Sequence, residues 1–214
     1  GQIPLIMVGR YYEYYDCDYV VGDNYKGGYD ATDYLLKLGH KNIGLISEKP
    51  LIQTSIKARI KGYKDCLNDN NIGINKSLIL DNLDDPCKLY YPSSTQKVLN
   101  ETKQKILKFL KENINKISGI FTINDFIGRE VIILAKKLGI NVPENLSIIG
   151  HDNVILSTKT EPPMTTINWS QMNVGKTAAE SLINKIENKK EKRIQKVLPV
   201  ELVKRNSTTQ YTRE

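Results

Sequence analysis

Four places in the sequence set planar polar or cationic side chains just after short apolar runs. Asn124 and Asp125 follow residues 119–123, and Gly150, His151, Asp152 and Asn153 follow residues 146–149. Asn168 and Trp169 follow residues 165–167; Ser47 and Glu48 follow residues 42–46, with Arg59 one helical segment later. A carboxylate, a carboxamide and a guanidinium hydrogen-bond pairs of hydroxyls in defined directions. An indole face packs against the apolar side of a sugar ring. The plainer reading is that Asn124 and Asp152 cap the helices that follow them. Position alone leaves both readings open.

Enzyme chemistry finds less support. Gly175-Lys176-Thr177 lies between a strand-like and a helix-like segment, but a phosphate loop needs G-x-x-x-x-G-K-T, and its first glycine position holds Ser170. Neither a GxSxG elbow nor an HExxH helix occurs. His40 and His151 are the two histidines. His40 reads as structural. His151 beside Asp152 could mimic a proton relay, yet no Ser or Cys nucleophile is placed by sequence to use it. No cluster of metal ligands is evident. We expect no enzyme, no cofactor and no metal site.

The elements that must position these residues alternate between strand and helix, the pattern of βαβ units and a parallel sheet. Strands are expected over residues 3–8, 19–22, 42–47, 78–80, 119–123, 146–149, 165–169 and 198–203. Helices are expected over residues 29–38, 55–68, 95–112, 128–138 and 174–187. Asp23 or Asn24 can cap the first helix, and Gly39 can end it. In open parallel sheets ligands bind beyond the carboxyl ends of the strands, which is where the candidate residues fall. Five tyrosines between positions 11 and 19 could line a ligand site or pack a half-exposed loop.

The 214 residues allow one large domain or two lobes, and 40% hydrophobic with 26% charged residues is an ordinary globular balance. No apolar run approaches the ~18 residues of a membrane span. The net charge of +7 reflects Lys spread through the chain; the densest basic stretch, residues 185–196, reads as a solvated helix end and loop. Cys17, Cys66 and Cys87 are odd in number and scattered, which suits a reducing, cytoplasmic setting. Gly1 in place of an initiator Met, with direct entry on an apolar run, suggests a fragment.

A series of motifs then carries a family resemblance. Leu35-Leu-Lys-Leu-Gly-His-Lys-Asn-Ile-Gly-Leu-Ile46 resembles "LxxLGHxxIxxI", and Arg59-Ile-Lys-Gly62 resembles "RxxG". Ile120-Phe-Thr-Ile-Asn-Asp125 is similar to a hydrophobic-x-x-ND segment. Pro143-Glu-Asn-Leu-Ser-Ile-Ile-Gly-His-Asp152 is similar to "PxDxSxxGxD", with Asn145 in place of the first Asp. Pro162-Pro-Met-Thr-Thr-Ile167 resembles "PPLTT", and Gly175, Ala178 and Leu182 fit a "GxxAxxxL" helix. Leu198-Pro-Val-Glu-Leu-Val-Lys-Arg-Asn-Ser-Thr208 resembles the closing "LPxxLxxRxST". In order and across nearly the whole chain, they resemble the effector-binding domain of the lac repressor (LacI/GalR) family of transcription regulators.

The resemblance implies an α/β, periplasmic-binding-protein-like fold of two lobes with parallel sheets flanked by helices. Residues 24–169 and 198–208 would form the C-terminal lobe, 1–23 and 170–197 an incomplete N-terminal lobe, and 209–214 a tail. A DNA-binding head, and about two further βα units, would lie outside this chain. Arg59, Asn124 and Asp152 match family positions that bind the effector, Trp169 falls at the crossover beside the cleft, and His151 stands where an aromatic is common. Asn153 replaces a second Asp, and with His151 this departure leaves the sugar's identity open; Gly9 replaces an Asp in the opening strand, which implies a smaller contribution of that lobe to binding. The implied partners are a small sugar (a pentose such as arabinose), operator DNA through the head, and a second copy in a homodimer. Similarity over residues 27–46 and 151–175 leans towards arabinose-responsive regulators, some of which carry a GntR-like winged-helix head. A sugar-binding protein of a transport system is the alternative role, and a small-molecule hydrolase on the same architecture a third.

Overall fold

The computed structural model describes residues 3–49, 54–84, 96–187 and 193–212. Cys87, Thr95 at the start of the long helix, and the middle of the basic stretch at 185–196 lie outside the described residues. In chain order the elements are β1 (Ile6–Val8), β2 (Asp18–Gly22), α1 (Asn24–Lys37), β3 (Ile43–Glu48), α2 (Thr54–Asp69), β4 (Ile79–Leu83) and α3 (Gln96–Asn113). They continue as β5 (Gly119–Thr122), α4 (Asp125–Lys137), β6 (Ser147–His151), β7 (Thr165–Asn168), α5 (Gln171–Glu187), β8 (Gln195–Leu198) and β9 (Glu201–Val203). The expected alternation is present, and the fold is the expected α/β one of parallel-sheet strands flanked by helices.

The strands form two sheets. A six-stranded sheet runs β4-β3-β5-β6-β7-β9, parallel throughout except for β9, which pairs antiparallel with β7. A three-stranded parallel sheet runs β1-β2-β8. Every residue of β3, β5 and β6 is buried. That is why these strands read as continuous apolar runs rather than alternating ones: a parallel sheet covered on both faces has no wet side. The main core gathers Leu35 of α1, Ile60 of α2, Phe109 of α3 and Val131 of α4 against these strands. A separate small cluster of Val20, Val174, Ala178 and Ile194 joins α5 to the three-stranded sheet.

Local chemistry sets the element ends. Asp23 caps α1 by accepting from the Lys26 N–H at 2.9 Å. At the other end Gly39 adopts φ of +90°, and the chain turns into His40. The two ring nitrogens of His40 meet Ser118 Oγ at 2.9 Å and Thr209 O at 3.0 Å, so this buried histidine ties three segments together. The single last strand expected over 198–203 is instead two. β8 closes the small sheet, Pro199 interrupts, and β9 joins the large one. Proline has no N–H for a ladder, so the strand ends where the chain crosses between sheets. Among the described residues no helix is long and apolar enough to cross a membrane.

Helices α1 and α2 approach through a reciprocal pair of glycines. A Cβ on Gly28 would lie 2.1 Å from the Arg59 carbonyl oxygen, and a Cβ on Gly62 would lie 2.1 Å from that of Tyr25. Both obstacles are backbone, which cannot swing aside. Gly62→Ala is therefore expected to push the helices apart and destabilise the fold by about 1–3 kcal/mol or more, as overpacking does. Urea denaturation checks this; an unchanged midpoint would show that the helices can separate freely.

Candidate functional site

Arg59 lies in the second turn of α2 and is 8% exposed. Its guanidinium spans three elements. Nε donates to Asn24 Oδ1 at the start of α1 (2.8 Å), Nη1 to the Ile123 carbonyl beyond β5 (2.7 Å), and Nη2 to Asp152 Oδ1 beyond β6 (2.9 Å). A planar fork of fixed donors suits this task, because each of the three nitrogens has one acceptor at charge-assisted distance. Asn24 is oriented in turn by its own side-chain N–H, which donates to Gly22 O at 2.9 Å.

Asp152 and Asn153 both leave ordinary backbone space, with φ of +117° and +52°. The Asp152 N–H donates to Ile167 O at 2.8 Å, and the Gln171 side-chain amide donates to Asp152 O. Burial alone disfavours the Asp152 anion; the Arg59 guanidinium and the His151 ring N–H outweigh it and hold the carboxyl below its usual range. The Asp152 side chain keeps 21% exposure, so it presents a charged oxygen to solvent.

His151 is fully buried, and its Nδ1 lies 3.1 Å from Asp152 Oδ1. Burial first, then the nearby Arg59, lowers its pKa to about 4. A neutral ring facing a carboxylate is assigned the Nδ1–H tautomer. Nε2 is then a bare acceptor, and it has no hydrogen-bond partner. It packs against Gly27, where a Cβ would stand 2.5 Å away. His151 thus supports Asp152 from behind, with its ring enclosed.

The expected residues are distributed unequally. Arg59 and Asp152 form a direct ion pair. Asn124 is adjacent through the Ile123 carbonyl, but its Oδ1 caps α4 by accepting from the Ile127 N–H at 2.9 Å. Asp152 caps nothing; the short turn after it starts at Val154 with no side-chain cap. Trp169 sits against the small sheet, where Gly22 and Gly9 leave room: Cβ atoms there would lie 2.7 Å from Trp169 Cβ and 3.3 Å from its ring.

Several neighbours were not expected from the sequence. A pocket of about 170 Å³ opens between the three-stranded sheet and the starts of α1 and α2, lined by Tyr11, Gly22, Asn24, Thr54, Ser55 and Ala58 among others. Thr54 Oγ1 accepts from the Tyr11 N–H (3.2 Å) and donates to Tyr11 O (2.9 Å), clasping the loop after β1 to the start of α2. Tyr11 stacks on Tyr19 with ring centroids 4.0 Å apart, while Tyr14 and Tyr15 face solvent. The tyrosine cluster therefore divides between pocket wall and exposed loop. Ser55 was findable, since it lies four residues before Arg59 on the same helix face. Asn24 was weighed only as a cap.

Asp125, at the start of α4, is fully buried. Its Oδ1 accepts from Thr166 Oγ1 at 2.5 Å and its Oδ2 from the Val154 N–H at 2.9 Å. Burial raises its pKa to about 7, the Thr166 hydrogen bond opposes that, and the Asp152 charge adds to it.

The family of periplasmic binding protein-like domains matches residues 32–208. The HTH-type transcriptional regulator DegA of Bacillus subtilis is 35% identical over 212 residues, covering 97% of this chain and 57% of that protein. A solved transcription regulator from Lactobacillus plantarum has a TM-score of 0.83 at 25% identity, covering 97% of this chain and 73% of the other. A LacI family transcriptional regulator from Enterococcus faecium with bound ribose has a TM-score of 0.73 at 28% identity, covering 92% and 67%. The relatives are thus transcription regulators, and the chain spans 57% of the length of the first of them.

Asp125 and His151 pull stability in opposite directions with pH. Between about pH 4 and 7 the folded chain keeps an Asp125 proton that the unfolded chain has lost, so stability falls as pH rises. Between about pH 4 and 6.5 the unfolded chain holds a His151 proton that the folded chain refuses, so stability rises. Burial lowers the pKa of His40 also, in the same sense as His151. Asp125→Asn removes the opposing contribution. Its stability is expected to climb from pH 4.5 to 6.5 more steeply than that of the parent, by up to about 1.4 kcal/mol per pH unit. Denaturation curves at three pH values check this, and parallel slopes would contradict the assignment.

Proposed function

The chain belongs to the periplasmic binding protein-like family, and from that premise we propose that it is the sugar-responsive sensor of a bacterial transcription repressor. The observation that carries the reading is the Arg59–Asp152 pair, held at the ends of β5 and β6 with a carboxylate oxygen still open to solvent. A sugar offers vicinal hydroxyls; the carboxylate accepts from them and the guanidinium edge donates to them. The Asn124 amide group, whose oxygen is committed to its cap, has its N–H donors to offer. Ser55 and Tyr11 extend the polar lining through the neighbouring pocket. Trp169 supplies an apolar face at the crossover, and His151 acts through Asp152.

Residues 24–169 with 198–208 form one lobe on this reading, 1–23 with 170–197 part of the other, and 209–214 a tail. Two contacts favour coupling between them: Tyr11 with Thr54, and Gln171 with Asp152. A ligand that binds one arrangement of the lobes better shifts the population towards it, by no more than its differential affinity. Coupling of about 1–3 kcal/mol is typical of such switches. The output is operator DNA binding by a homodimer, through a head beyond these residues, in the cytoplasm. The regulator role is favoured over a transport receptor because the similar proteins are transcription regulators. A pentose is favoured by the ribose held in the Enterococcus faecium relative. Within the pentoses the similarity over residues 27–46 and 151–175 favours arabinose, and with it a GntR-like head.

The test is thermal or chemical unfolding against D-ribose, L-arabinose and a hexose panel. A sugar at about 100 times its dissociation constant is expected to add about 2.7 kcal/mol. Asp152→Ala is expected to abolish that gain, since truncating one partner of a desolvated charge pair costs about 2–5 kcal/mol. No stabilisation by any sugar, in this chain or in a longer one carrying the rest of the sensor, would sink the reading.

A further inference from the structure

The closing motif at residues 205–208 does more than end the chain. Ser207 Oγ accepts from the Thr165 N–H at 2.8 Å and donates to Ile148 O at 2.6 Å, while Ser207 O accepts from the Ile148 N–H at 2.7 Å. It stitches β6 to β7 beneath the strand ends. The Asn206 N–H donates to Pro163 O, and the Arg205 N–H donates to Thr165 Oγ1 at 3.0 Å. The Arg205 backbone is therefore fixed on both sides.

From that base the Arg205 guanidinium reaches up to the segment that carries Asp152. Nη2 donates to Asn153 Oδ1 at 2.7 Å, and Nη1 donates to Met164 O at 2.7 Å and Ser157 Oγ at 3.1 Å. Asn153 is one of two consecutive non-glycine residues with positive φ. Such a pair persists only where surrounding contacts over-determine it. Other ties on this segment include the Asp152 N–H to Ile167 O at 2.8 Å, the Val154 N–H to Asp125, the Asn153 N–H to Thr166 Oγ1 at 3.4 Å, and Gln171 to Asp152 O. Of the segment's own side chains, Asp152 meets Arg59 and His151, and Asn153 meets Arg205.

We propose that Arg205 is a positioning residue: by gripping Asn153 it holds the backbone turn that aims Asp152 at Arg59 and at the ligand. A lysine at this position would keep the charge but lose the fork, since one ammonium cannot serve three acceptors in that geometry. The positioning can be read without any ligand; only its consequence for binding rests on the sugar-site reading above.

The experiment follows the Asp152 carboxyl by NMR titration in the ligand-free chain, for the parent, Arg205→Lys, Asn153→Gly and the double variant. Asn153→Gly removes the gripped acceptor while permitting the same turn, so it stays informative if Arg205→Lys folds poorly. In Arg205→Lys the Asp152 midpoint is expected to rise by about half a pH unit or more, towards the ordinary carboxylate value, as the pairing with Arg59 loosens. The double variant is expected to match Asn153→Gly, because two changes on one path do not add. An unmoved midpoint in Arg205→Lys, or shifts that simply sum, overturns the proposal. D-ribose binding is measured alongside by calorimetry and is expected to weaken about tenfold in Arg205→Lys; unchanged binding also overturns it. A parent chain that binds no D-ribose instead counts against the pentose reading, and the NMR titration still decides the positioning.

Discussion

One guanidinium organises the end of the large sheet. Arg59 is nearly buried, and a buried cation is tolerable only when its hydrogen bonds are met. It meets them by drawing together Asn24, the Ile123 carbonyl and Asp152, which come from three different segments. The start of α1, the end of β5 and the end of β6 are thereby locked in one geometry. Because Asp152 remains partly open, the arrangement is both a structural tie and an exposed acceptor. A fully satisfied interior pair would have been only the first of these.

The tie works because the helices bearing it are close. Gly28 and Gly62 let α1 and α2 touch backbone to backbone, and Arg59 itself supplies one of the carbonyls at that contact. Any side chain at either glycine would move Arg59 away from its acceptors. Behind Asp152 the same economy of space recurs, with the His151 ring pressed on Gly27 and left with one unpartnered nitrogen. An unmet acceptor in a dry interior is a cost. Here it accompanies a neutral imidazole that keeps Asp152 ionised and fixed. Buried Asp125, which accepts directly from the Val154 N–H of the same loop, carries the opposite pH response to that of His151.

Among the described residues, polar contacts link the flanks of the two sheets. The Tyr11–Thr54 clasp joins the loop after β1 to α2, and the Gln171–Asp152 hydrogen bond joins α5, which packs on the small sheet, to the end of β6 in the large one. The apolar cluster under α5 is small and separate from the main core. The sheets are thus linked by polar contacts rather than by a shared hydrophobic interior.

Much of this was legible in the residues. Apolar runs of four to six, separated by amphipathic stretches, determine a parallel α/β fold because burial on both faces demands them. Motif order marked the strand ends and placed Arg59 and Asp152 there. Sequence spacing could not divide the last apolar stretch into β8 and β9, because β8 pairs with β2 near the start of the chain while β9 pairs with β7 in the other sheet, and no local pattern carries either partner. Nor could it tell that Asn124 is spent on a cap while Asp152 is not: both follow a strand, and only φ at Asp152 turns its carboxylate towards Arg59. The roles of Asn24, Ser55 and Arg205, and which of the tyrosines lines the pocket, likewise came from the tertiary structure. Periodicity encodes which face of an element is buried; which side chain meets which across elements is fixed by packing distances that no local pattern carries.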